Sequence, residues 1–100
     1  MDLNQIYSFE YLTNEAEELV KESLGKAMEN DNTICNCQDC ILDIIGFALN
    51  NIRPLYRTSL RGSLYTTVPD NKYLESLDRA VKLAIKKIKT NPSHNWLNLF

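Results

Sequence analysis

All three cysteines of the 100-residue chain, Cys35, Cys37 and Cys40, fall within six residues, and an apolar run starts at the last of them. Cys40, Ile41, Ile44, Ile45, Phe47 and Ala48 recur at the spacing of a buried helical face. A cysteine knuckle therefore opens straight onto a core helix. The unpaired N–H groups and positive dipole end of a helix start stabilise thiolates, and thiolates are what metals bind.

Zinc takes four tetrahedral donors, usually Cys or His, and a short loop can supply two or three of them. Cys35-x-Cys37-x-x-Cys40 offers up to three. His94 is the single histidine and lies just past the end of a predicted helix, which makes it the candidate fourth ligand. The competing reading is reduced thiols, with Cys40 an ordinary core residue. The N-terminus, MDLNQIYSFEYL, has no basic region followed by an apolar one, so the sequence predicts no signal peptide and a cytoplasmic location. No apolar run is long enough to span a membrane. An odd cysteine count in a reducing compartment favours metal or plain thiols over a disulfide framework.

The apolar periodicity predicts one all-α (mainly α) domain over residues 1–100, with three amphipathic helices at about 13–29, 38–51 and 71–90. Asn14, followed three residues later by Glu17, resembles a capping box, and Glu15, Glu17 and Glu18 suit the positive end of the first helix. Ala16, Leu19, Val20, Leu24 and Ala27 form its stripe, and Asn30-Asp31-Asn32 ends it as a polar turn. Gly46 in the second helix points to close approach of another helix. Asp70 or Asn71 caps the third helix, whose stripe is Leu74, Leu77, Val81, Ala84, Ile85 and Ile88. Lys86, Lys87 and Lys89 sit at its negative end. The apolar first twelve residues are expected to form a short helix and to pack on the domain or on a second subunit. Leu64 to Val68 has strand composition, and such a strand would pair with its copy across a dimer.

Residues 1–50 carry ten Asp or Glu against two Lys, whereas residues 51–100 carry nine Lys or Arg against three acids. Within the basic half, Arg53, Arg57 and Arg61 recur with no acid between them, beside Tyr56 and Tyr65. Arginine forks grip phosphates, and arginine and tyrosine faces stack on bases, so Arg53, Tyr56, Arg57 and Arg61 are candidate ligand-binding residues. The alternative is a solvated basic loop facing the acidic half. The formal net charge of −2 weighs against a nucleic acid partner. One histidine and three glycines leave no Ser–His spacing and no phosphate-binding glycine loop. Cys37-x-x-Cys40 has redox spacing without the βαβ context, so no enzymatic activity is expected.

Cys35-x-Cys37-x-x-Cys40-x-x-Asp43, then Ala48-Leu49-Asn50, then Pro54-x-Tyr56, resembles the late competence development protein ComFB family of bacteria. The preceding glutamate-rich helix and the following lysine-rich helix fit it too. The resemblance implies a small helical protein that forms homodimers and holds a cysteine-bound zinc. It also implies a regulatory role, with cyclic dinucleotides such as cyclic di-GMP (c-di-GMP) as a ligand and an unspecified protein partner. The alternative it leaves is a competence- or motility-associated interaction protein with zinc for folding alone. This chain departs from the family pattern in having Arg53-Pro54 where Pro-Pro is frequent, Gly46 where Ala is common, and His94 in the region where some members place a cysteine.

Overall fold

In the computed structural model, residues 1–58 and 69–92 are described. The expected strand at Leu64–Val68, Arg61, His94 and the apolar C-terminal tail lie outside those residues. The elements run α1 (Leu3–Ile6), β1 (Thr13–Asn14), α2 (Glu15–Asn30), α3 (Gln38–Leu49), β2 (Tyr56–Arg57) and α4 (Asn71–Thr90). The protein is mainly α, as the periodicity predicts, and α4 begins and ends at the expected residues.

Each long helix starts where a side chain can satisfy an orphan N–H. Asn14 caps α2, its Oδ1 accepting from the Ala16 amide at 3.1 Å. Asp70 caps α4, accepting from the Tyr73 amide at 2.8 Å. The same Asn14 oxygen also accepts from the Leu55 amide at 2.8 Å, and the Glu15 amide donates to the Leu55 carbonyl at 2.8 Å. Thr13 and Asn14 are thereby drawn into a two-residue antiparallel ladder, Thr13 opposite Arg57 and Asn14 opposite Tyr56. The start of α2 consequently falls at Glu15 rather than Thr13. At the far end of α3 the helix stops at Leu49, two residues before the predicted end, because the Asn51 side chain donates to the Phe47 carbonyl at 2.8 Å in place of another turn.

The core is one cluster shared by the three long helices: Val20 and Leu24 from α2, Ile44 and Ala48 from α3, and Leu77, Ala80, Val81, Ala84 and Ile85 from α4. Ile34 and Leu55, from the connections, complete it. Tyr73 takes the first core position of α4, so Leu74, expected there, is left 39% exposed. The helix pair α3–α4 makes the most extensive contact, and α2 packs on both. Those two helices run antiparallel. The end of α3 meets the start of α4 through Arg53 and Tyr73, and the segment before α3 meets the end of α4 through Lys89.

One expectation fails among the described residues, and another is narrowed. A Cβ built on Gly46 would meet nothing within 4 Å, so no helix approaches there among the described residues. The N-terminal arm forms its expected short helix, capped by Asp2, and no side chain of that helix is buried; of the two places expected to receive the arm, its own domain does not do so among the described residues. Leu3, Ile6, Tyr7, Phe9, Tyr11 and Leu12 are all exposed. Among the described residues, no helix is long and apolar enough to cross a membrane.

Candidate metal centre

The loop between α2 and α3 carries the cysteines. Ile34, 7% exposed, is inserted into the core and anchors the loop from inside. Cys35 follows it at the surface, half-buried. Cys37 is the N-cap of α3, and its sulfur accepts from the Cys40 amide at 3.4 Å. Cys40 is one turn further on and wholly buried. α1, α2 and α4 are capped by Asp or Asn, the residues that do this best, whereas α3 is capped by a sulfur. That substitution of a poor cap for a good one places a thiol at the positive end of the helix, where the anion is stabilised.

The three sulfurs all lie within 4.8 Å of one another. In a tetrahedral site with Zn–S bonds of ~2.3 Å, sulfurs are ~3.8 Å apart. The cluster therefore fits three corners of a thiolate metal site with little rearrangement. Two of its donors ride on α3, and the third sits on the loop. Cys35 shares a small cavity of about 110 Å³ with Ile85, Ile88, Lys89 and Pro92 from the end of α4. The knuckle thus meets the end of α4.

A polar clamp holds that meeting. Lys89 Nζ donates to Asp31 Oδ2 at 2.8 Å and to the Thr33 hydroxyl at 2.7 Å. The Thr33 amide and hydroxyl both donate to Asp31 Oδ1. These bonds, from Lys89 first, hold the Asp31 carboxyl well below the usual carboxylate range. Sequence reasoning assigned Asp31 only to a turn and Lys89 only to the helix dipole. The Asp31-x-Thr33 spacing, which suits a side-chain-closed turn, is the signal that was available.

The candidate ligand-binding residues among those described, Arg53, Tyr56 and Arg57, take different partners. Arg53 lies over the Tyr73 ring, 5.5 Å from its centroid, and lines an open groove of about 410 Å³ with Lys72, Tyr73, Ser76 and the Asp70 carboxylate. Arg57 is committed elsewhere, its Nη1 2.8 Å from Glu15 Oε1 at the head of α2. For Arg57 the structure therefore favours the reading of a basic loop facing the acidic half. Tyr56 is exposed on the ladder.

A helical domain whose central helix is headed by three cysteine sulfurs close enough to hold one metal ion defines a small cysteine-knuckle protein. The chain belongs to the family described as late competence development protein ComFB, whose profile matches residues 13–92. It is similar to "Competence protein ComFB" of Bacillus subtilis (strain 168), with 34% identity over 55 residues. That alignment covers 55% of this chain and 56% of the relative, so the chain matches about half the length of that curated protein. No solved structure matches it significantly.

Proposed function

We propose that the chain is a non-enzymatic, competence-associated regulatory protein built around a structural zinc, and that it works as a homodimer through a protein partner. The convergence of Cys35, Cys37 and Cys40 within 4.8 Å is the observation that carries this reading. His94 is the proposed fourth donor. Its support is that Pro92, two residues earlier in sequence, lines the same cavity as Cys35. A site closed by four protein donors stabilises a fold and leaves no open position for substrate. The proposed dimer is supported by the N-terminal arm, where seven large apolar side chains in twelve residues are exposed. Elemental analysis of protein purified without chelator tests the metal, one zinc per chain being expected and less than a tenth of an equivalent refuting it. Light scattering tests the dimer.

A second reading adds a cyclic dinucleotide such as c-di-GMP as ligand. The groove beside Arg53 favours it, since an arginine already stacked on an aromatic ring, with Lys72 nearby, can meet both phosphate and base. Calorimetry of the zinc-loaded protein with c-di-GMP tests it, with Arg53→Ala expected to abolish the heat and Arg57→Ala to leave most of it. Absence of heat from the unaltered protein returns the chain to the role of an interaction protein.

A further inference from the structure

The metal cluster is built from two kinds of support. Cys37 and Cys40 are fixed by α3 itself, one as its cap and one in its first turn. Cys35 belongs to the loop. Upstream of it, two side chains of that loop, Asp31 and Thr33, close on one ammonium group, Lys89 Nζ, which comes from the last turn of α4. Asp31 is the C-cap of α2, so the same clamp fixes where the loop leaves that helix. Lys89 and Cys35 also line the same cavity.

We propose that Lys89 is a positioning residue for the metal centre: through Asp31 and Thr33 it sets the loop so that the Cys35 sulfur stands ready beside those of Cys37 and Cys40. The proposal rests on the cysteine cluster being a zinc site. A donor held in place before the ion arrives binds it more tightly and releases it more slowly, and outer groups that orient a ligand typically contribute 10–100-fold in affinity. The clamp would then couple the metal to α4, since moving the end of that helix would loosen Cys35 while α3 still held Cys37 and Cys40.

The test follows zinc leaving the protein. The zinc-loaded full chain is mixed with excess chromophoric chelator and the transfer rate is read for the unaltered protein, Lys89→Met, Lys89→Arg and Thr33→Val. Thr33→Val removes one leg of the clamp with no change of charge. Release about tenfold faster in both Lys89→Met and Thr33→Val, with Lys89→Arg closer to the unaltered rate, is the expected result. The melting temperatures of the metal-free forms should stay close together, because the clamp lies at the surface. Equal release rates would overturn the proposal while leaving the zinc site standing. Acceleration in Lys89→Met alone would also overturn it, since charge rather than positioning would then be at work. An unaltered protein that takes up no zinc would remove the metal centre itself, and with it this role for Lys89.

Discussion

The Tyr73 hydroxyl donates a 2.6 Å hydrogen bond to the carbonyl oxygen of Arg53, while the Arg53 guanidinium lies over the Tyr73 ring. One residue of α4 therefore holds both ends of the same arginine. It latches the exit of α3 to the entrance of α4. Tyr73→Phe keeps the ring and removes the latch, leaving a carbonyl without its partner. A loss of about 1 kcal/mol in urea unfolding is expected, with little change in the cation–π stacking.

Burial pushes the Tyr73 hydroxyl above its ordinary value, and Arg53 offsets this in part. The neutral form is thus the one the fold prefers. Its contribution is fully present below pH 10.0 and is lost as pH rises through the elevated value. Ultraviolet titration of the protein against Tyr73→Phe should show the missing step at the alkaline end of the tyrosine range.

Cys37→Ser should separate folding from metal binding. Serine is a good N-cap and a poor zinc ligand. The metal-free variant is expected to melt at or above the temperature of the metal-free parent, yet to bind zinc far more weakly. A drop in metal-free stability would show that the sulfur, not the cap, matters to the fold.

Gly46→Ala should stabilise the protein by about 0.5–1 kcal/mol, because the helix gains a better former and the new methyl meets no atom of the described residues within 4 Å. Destabilisation that grows with protein concentration would instead reveal a second copy covering this face of α3.

Asp31 is expected to remain a carboxylate in acid. Its folded value lies far below the ordinary 3.8, so the small, solvent-screened contribution of this surface clamp is present above that pH and fades only as pH falls toward the depressed value. Carboxyl carbon shifts recorded by NMR down to pH 3 should show Asp31 still ionised, and an Asp31 signal that moves to its protonated position by then would overturn this.

Much of this was legible in the chain because it is local. The stripes Val20–Leu24 and Leu77–Val81–Ala84–Ile85, the caps Asn14 and Asp70, and the knuckle Cys35–Cys40 are all set by residues a few positions apart, and each stands where the spacing puts it. What stayed hidden joins distant segments. Asn14 serves Leu55, Glu15 takes Arg57, and Lys89 reaches Asp31, and no periodicity announces such pairs. Gly46 misled for a related reason: a small residue signals room, and sequence does not tell whether a neighbour fills it.

Three donors packed into six residues have a consequence for the denatured chain. Such a short segment can wrap an ion with little help from the rest of the molecule, so if the cluster holds the proposed zinc, unfolded protein will retain it as well. Only the difference in affinity between the two states is converted into folding free energy. Heating with and without a chelator will therefore report a smaller shift than the total affinity suggests. That shift measures what the tertiary structure adds to a site the bare peptide already half possesses.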